Sequence, residues 1–193
     1  MKFLITGGAG FIGSHIALQL HEKGHEITII DDFSTGNNFG LDNYEIINCN
    51  IIDYKTLVNK FNNRKFDFLI HLASKSIVED SFLFETKYMQ TNVLGTSNII
   101  KLCRKLDIKK LIFSSTAAVY GNQNSNKMID EKNQTIPINP YGISKLQAEY
   151  LLKEASTTYK IDMICFRFFN ACGGDKLIRI GEYHNPETHL IPK

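Results

Sequence analysis

Lys2-Phe-Leu-Ile-Thr6, Gly7-Gly-Ala-Gly-Phe-Ile-Gly13 and Glu26-Ile-Thr-Ile-Ile-Asp31 stand in that order within the first 31 residues, and their reading decides the fold class. Lys2 to Thr6 is a short apolar run that predicts a buried strand, and Phe11 to Lys23 has the length and pattern of a helix. Glu26 to Asp31 predicts a second strand. The glycines between the first strand and the helix satisfy both GxxGxxG and GxGxxG. Gly7, Gly10 and Gly13 there allow a tight turn and let backbone N–H groups approach a pyrophosphate at the positive end of a helix. Asp31 follows Gly13 by eighteen residues. A carboxylate at that place accepts hydrogen bonds from both hydroxyls of an adenosine ribose and repels a 2′-phosphate, so the pattern favours NAD over NADP. The plainer alternative is that Asp31 and Asp32 only begin a polar turn before Ser34-Thr35-Gly36.

Outward from this stretch, apolar runs keep alternating with longer amphipathic segments. Strands are expected at Tyr44 to Asn48, Phe66 to Leu72, Lys110 to Ser115 and Asp162 to Phe168. Helices are expected at Tyr54 to Phe61 behind Asp53 as N-cap, over a long region from Asp80 to Lys105, and from Tyr141 to Thr158. Residues 122 to 139 are polar, rich in Asn and hold Pro137, which predicts an extended surface loop. Strands alternating with helices imply right-handed crossovers and a parallel sheet covered on both faces. The fold class is α/β, a doubly wound, Rossmann-like parallel sheet.

The 193 residues suffice for one large domain, or one domain and the beginning of another, at roughly 150 residues per domain. Twenty-two basic and twenty acidic residues give a net charge of +2 without a run of one sign, so no basic stripe points to nucleic acid. No stretch approaches the roughly 20 apolar residues of a membrane span. The opening Met1 to Ile5 is too short for the apolar part of an export signal. Cys49, Cys103, Cys165 and Cys172 form no CxxC and no zinc spacing, and reduced thiols in a cytoplasmic protein account for them. His184 and His189 lack the carboxylate or thiol cluster that would complete a metal site.

Tyr141-Gly-Ile-Ser-Lys145 puts a phenol and an ammonium four residues apart, on one face of a helix. A free tyrosine titrates near ~10. A neighbouring lysine and a cationic nicotinamide would stabilise the phenolate and make it a base at lower pH. Packing alone would also explain a tyrosine at a helix start. Ser114-Ser-Thr116, at the carboxyl end of the predicted fifth strand, strengthens the chemical reading because ligands bind at that edge of such sheets. Asn92 competes with the backbone for hydrogen bonds inside a helix, so it is expected either to face the cofactor or to sit on an exposed position. His71 is expected to be a structural histidine with its ring nitrogens satisfied.

These segments, with His71-Leu-Ala73, Asn92-Val-Leu-Gly-Thr96, Ser114-Ser-Thr-Ala-Ala-Val-Tyr-Gly121, Pro140-Tyr-Gly-Ile-Ser-Lys145, Arg167-Phe-Phe-Asn170 and Pro186-Glu-Thr-His-Leu-Ile-Pro192, run from end to end of the chain. Together they resemble the extended short-chain dehydrogenase/reductases and, more narrowly, the UDP-glucose 4-epimerases among them. The resemblance implies NAD as cofactor and 4-epimerisation of a UDP-hexose through a 4-keto sugar. Tyr141 would remove the proton from the sugar O4, Lys145 would hold the nicotinamide ribose and tune Tyr141, and Thr116, in place of the usual serine, would hydrogen-bond along the proton path. Cofactor contacts carried over are Phe11 and Ile12 at the pyrophosphate, and Asp31, Asp32, Phe33, Ser34, Thr35 and Gly36 at the adenosine ribose. Asn50, where many relatives have Asp, and Ile51 would lie along the adenine. Leu72, Ala73, Ser74, Lys75 and Ser76 would follow the cofactor's middle, with Phe169 toward the nicotinamide and Asn92 among the residues facing the cofactor. Asn170, His189 and Leu190 would join Thr116 and Tyr141 on the substrate side.

Family dehydratases carry an acidic residue just after the Ser/Thr, where this chain has Ala117-Ala118, which argues for simple epimerisation. Residues 1–170 are expected to form the NAD-binding domain with the reacting side chains, and 171–193 to begin a smaller substrate-binding portion that is mostly absent. Two readings therefore stand: an epimerase, whole only with further chain or a partner, and a truncated NAD-binding module without turnover. A homodimer through the helices of 80 to 105 and 141 to 158 is also implied by the resemblance.

Overall fold

A computed structural model describes residues 1–61, 64–123 and 128–181. Six strands form one parallel sheet: β1 (Lys2–Thr6), β2 (Glu26–Asp31), β3 (Glu45–Asn48), β4 (Phe68–His71), β5 (Lys110–Thr116) and β6 (Asp162–Phe168), in the spatial order β3-β2-β1-β4-β5-β6. This is the doubly wound order in which the chain reverses direction across the sheet between β1 and β4. The strands agree with the sequence reading to within two residues at either end.

Alternation along the strands sends side chains to two separate cores. Leu4, Ile30, Leu69, Leu111 and Phe113 face a layer of helices α2 (Tyr54–Asn59), α5 (Gly95–Leu106) and α6 (Pro140–Tyr159). Phe3, Ile5, Ile27, Ile29 and Ile70 face α1 (Phe11–Glu22). The expectation of a sheet covered on both faces holds for the β1–β2–β4 half only. On β6 the residues Met163 and Cys165 pack toward α6, whereas Ile164 (55% exposed), Phe166 (47%) and Phe168 lie bare, because among the described residues α1 does not extend over that strand.

The single helix expected over Asp80 to Lys105 is broken into α3 (Val78–Leu83), α4 (Glu85–Tyr88), a π-helical stretch (Met89–Leu94) and α5. Phe84 leaves helical geometry (φ −128°, ψ 39°) between the first two. The wider π turn carries one more residue per turn and brings Asn92 inward, where it is fully buried. Helix α6 begins one residue before Tyr141, with Pro140 at its first position and the Asn139 side chain accepting the Gly142 N–H at 2.7 Å. That cap fixes the helix start and with it the direction of Tyr141. Beyond β6, Arg179 pairs with Asp175 and with Glu22 of α1, and Ile180 is buried, so residues 175–180 pack back on the first helix.

Candidate active site

At the carboxyl edge of the sheet, across the β1/β4 reversal, lies a cleft of about 670 Å³. Gly7, Gly10, Phe11, Ile12 and Gly13 line it from the first turn, and Leu72, Ala73, Ser74, Lys75 and Ser76 from the loop after β4. Gly7 has φ +72°, and a methyl group on it would lie 2.6 Å from the Ala73 nitrogen; on Gly13 it would lie 2.2 Å from the Gly7 carbonyl oxygen. The turn and the helix start are thus closed against backbone, which only glycine permits. Helix α1 has Gly10 as its N-cap and no side-chain cap, leaving its first-turn amides and positive dipole end to the cleft.

At the far side Asp31 accepts the Ala9 N–H (2.9 Å) through one oxygen and the Phe33 N–H (2.9 Å) through the other. Burial raises its pKa above the usual carboxylate value while these backbone bonds pull it down. Asp31 therefore ties the glycine turn to the end of β2, in addition to facing the cleft. Asp32 accepts the Ser34 N–H at 3.0 Å and the Asn50 amide at 2.7 Å. The Asn50 carbonyl accepts the Ile52 N–H at 2.8 Å. An aspartate at position 50 would place a second carboxylate against Asp32, which explains the amide found there. Ser34, Thr35, Gly36 and Ile51 also line the cleft. Phe33 does not: its backbone is left-handed (φ +54°) and its side chain packs against the α1-side core, so only its amide serves the site.

At the opposite end Thr116, the last residue of β5, accepts the Ala118 N–H at 3.1 Å, and Thr116 and Tyr141 both line the cleft with Phe169 and Asn170. Burial holds the Tyr141 phenol above its ordinary value, and the neighbouring Thr116 hydroxyl opposes that. Lys145 is 2% exposed, with Nζ 4.4 Å from the centre of the Phe113 ring. Its burial brings its pKa down to about 8. Expected to hold the nicotinamide ribose, Lys145 lies one helical turn after Tyr141 on α6 and is not among the residues lining the cleft. Among the described lining residues the carboxylates are Asp31 and Asp32, at the other end; Ala117 and Ala118 stand beside Thr116.

Asn92 corrects its expected role. It does not line the cleft: its side chain accepts the Lys75 N–H (2.9 Å) and donates to the Lys75 carbonyl (3.0 Å) and to Ser144 Oγ (2.9 Å), so it supports the β4 loop from beneath. His71 is structural as expected, and the surrounding bonds fix its tautomer. Thr96 donates to the Asn92 carbonyl, so it accepts from His71 Nε2 (3.0 Å), and Nδ1 accepts from Thr6 (2.7 Å), whose oxygen in turn accepts the Ala73 N–H. Burial lowers the imidazole pKa to about 3, keeping it neutral. Sequence reasoning missed this chain of bonds; its one visible signal was polar residues, Thr6 and His71, ending otherwise apolar strands. His189 and Leu190 lie outside the described residues.

The reversal point, the glycine turn on an uncapped helix, and the Thr116–Tyr141 pair backed by Lys145 define a dinucleotide-binding α/β domain of the extended short-chain dehydrogenase/reductase kind. The NAD dependent epimerase/dehydratase family matches residues 3–193, and the chain belongs to it. Among curated proteins it is similar to the UDP-glucose 4-epimerase of Halalkalibacterium halodurans, 40% identical over all of this chain and 57% of that protein. It is also similar to the UDP-glucose 4-epimerase of Lacticaseibacillus casei, 36% identical over all of this chain and 58% of that one. Among solved structures, UDP-glucose 4-epimerase from Brucella ovis in complex with NAD superimposes with a TM-score of 0.93 and 37% identity, covering 99% of this chain and 58% of that one. The chain thus spans about 58% of the length of the relatives it matches.

Proposed function

We propose that these residues serve NAD-dependent 4-epimerisation of a UDP-hexose, UDP-glucose and UDP-galactose being the substrates that the names of the relatives suggest. The observation that carries this reading is the meeting of Thr116 and Tyr141 at the end of the cleft opposite the glycine turn. The cleft fits a dinucleotide: Gly7 and Gly13 leave no room for a side chain where the turn closes on backbone, and the α1 amides face the space. The N-terminus of α1 would take the pyrophosphate, Asp31 and Asp32 the ribose hydroxyls, and Lys75 and Ser76 the region toward the nicotinamide. NAD, when bound, supplies a hydride acceptor and donor and a positive charge beside the phenol. Tyr141 takes the proton from the sugar O4 and gives it back, Thr116 orients the phenol oxygen, and Lys145 places a cation behind it. With Ala117 and Ala118 beside Thr116, the described end of the cleft has no carboxylate to remove a C5 proton, which favours epimerisation over dehydration.

The proposal extends to domain organisation, with residues 1–170 binding the dinucleotide and 171–193 beginning the sugar-nucleotide portion. It extends also to a homodimer through the helices of 80 to 105 and 141 to 158, supported by the exposure of Phe82, Leu83, Phe84, Leu94 and Tyr150 on those segments. Sedimentation at increasing concentration tests the latter. The function is tested by titrating NAD and NADP, with NAD expected to bind more tightly, and by assaying interconversion of the two UDP-sugars. Tyr141→Phe should cost about 10²- to 10⁴-fold in rate with NAD binding kept. Tighter binding of NADP, or full turnover by Tyr141→Phe, would overturn the reading.

A further inference from the structure

Strands β2 and β3 run side by side, and their last paired residues are Asp31 and Asn48. Beyond that pair the Cys49 N–H still reaches the Asp31 carbonyl at 3.0 Å, and the chain then leaves the sheet at Asp32 and Asn50. A side-chain bond joins these two ends again: the Asn50 amide nitrogen donates to Asp32 Oδ2 at 2.7 Å. The direction of the amide is fixed from both sides. Its oxygen accepts the Ile52 N–H at 2.8 Å, and turning it over would set an oxygen against the Asp32 carboxylate and an NH₂ against that N–H. Asp32 accepts the Ser34 N–H at 3.0 Å through its other oxygen, so both of its oxygens are held.

The two neighbouring aspartates present different things to the cleft. Asp31 is buried and engages both oxygens with the Ala9 and Phe33 amides. Asp32 is half-buried, and it lines the cleft together with Asn50. Among the described lining residues, those from β2, β3 and the loops after them include no basic side chain. The lining lysines, Lys75 and Lys87, come from the loop after β4 and from α4. A 2′-phosphate on the adenosine ribose is accommodated by a nearby arginine; here it would meet Asp32, the more exposed of two carboxylates. A carboxylate at a loop end discriminates well only while it is held, because a freely rotating side chain turns its charge away from an incoming phosphate.

We infer that Asn50 is a positioning residue for cofactor choice: its amide, set by the Ile52 N–H, holds the Asp32 carboxylate in the cleft, and Asp32 so held is the group that excludes a 2′-phosphate. The bond also makes positions 32 and 50 reciprocal. One is a carboxylate and the other an amide that donates to it. Two carboxylates at 2.7 Å would repel each other, and two amides would carry no charge against a phosphate. The inference rests on the proposed binding of NAD, but it concerns which dinucleotide is refused rather than whether one is bound, so the two fail separately.

Calorimetric titration of the 193-residue chain with NAD and with NADP tests this, far-UV circular dichroism confirming that each variant is folded. Asp32→Asn should lower the preference for NAD over NADP about tenfold. Asn50→Ala keeps the charge and removes its holder, and should lower the preference about threefold; a merely structural role would weaken both dinucleotides alike. Asn50→Asp sets two carboxylates together and should weaken NAD binding about tenfold. The exchanged pair, Asp32→Asn with Asn50→Asp, should bring NAD binding back to within about threefold of wild type. It should keep the lowered preference of Asp32→Asn, because the bond returns with the charge on the other strand. An unchanged preference in Asp32→Asn or in Asn50→Ala would overturn the inference, and so would an exchanged pair that binds NAD no better than Asn50→Asp. A wild-type chain that binds neither dinucleotide would overturn the proposed function instead.

Discussion

At the glycine-turn end of the cleft most polar bonds are short in sequence or made with backbone: Asp31 to Phe33, Asp32 to Ser34, Asn50 to Ile52, Asp31 to the Ala9 amide, with the Asn50 amide to Asp32 as the exception. At the Tyr141 end almost nothing is local. Thr116, Tyr141, Lys145, Glu149 and Arg167 come from two strands and a helix, and the Thr6–His71–Thr96–Asn92–Ser144 chain links four more segments beneath them. A backbone-built end depends on the absence of side chains, and one added methyl breaks it. A side-chain-built end shares its geometry over many bonds, so each single loss costs less.

Gly13→Ala should therefore be the most damaging small change. Its methyl would meet the Gly7 oxygen at 2.2 Å and the Gly8 Cα at 2.7 Å, and neither can move aside without opening the turn. The expected loss is about 3 kcal/mol in urea unfolding, with NAD binding weakened well beyond tenfold by calorimetry. Asn92→Ala at the other end removes three bonds and strands the Lys75 N–H and C=O groups. About 2 kcal/mol is expected, with hydrogen exchange of the Lys75 amide accelerated. If Asn92→Ala proved costlier than Gly13→Ala, the contrast between the two ends would be wrong.

The ends also answer acid with opposite signs. The folded-state pKa of His71 is about 3, against 6.5 when free, so the unfolded chain binds a proton that the native one refuses. His71 favours folding above 6.5, and its contribution drains away as pH falls toward 3, by about 1.4 kcal/mol per pH unit. Asp31 has a raised pKa, so its effect is stabilising on acidification and is lost as pH rises through its folded value. Thermal melts from pH 7 to 4 should show the loss, and His71→Gln, which cannot take up the proton, should flatten it. The smallest effect sharpens the comparison further: Thr116→Val removes the hydroxyl that stands beside Tyr141 in the cleft and accepts the Ala118 N–H, about 1 kcal/mol or roughly fivefold in the rate of the proposed epimerisation. Thr116→Ser should leave the rate nearly unchanged in the same assay.

The local end was the legible one. Glycines at fixed spacing, an acidic residue at a strand end and runs of apolar residues bounded by turns are features of neighbouring residues. They located β1, β2 and β6 and the starts of α1, α2 and α6 within a residue. Phe33 misled because its neighbours face the cleft, whereas its left-handed backbone turns the ring into the core. The long helical region misled because periodicity records apolar spacing but not the break at Phe84 or the π turn that swings Asn92 inward.

The order of residues alone determined the parallel α/β fold, the glycine turn, and the presence of Thr116, Tyr141 and Lys145 near one sheet edge. Alternating strands and helices permit few other arrangements, and glycine's lack of a side chain is a property of the residue itself. Only the tertiary structure decided which hydrogen-bond partner each polar side chain takes. Asn92 became a strut, His71 a neutral link, and Glu149 and Arg167 an ion pair joining α6 to β6. Those roles depend on burial and on contacts between segments far apart in sequence, where the loss of water makes each unpaired polar group costly and each pairing specific.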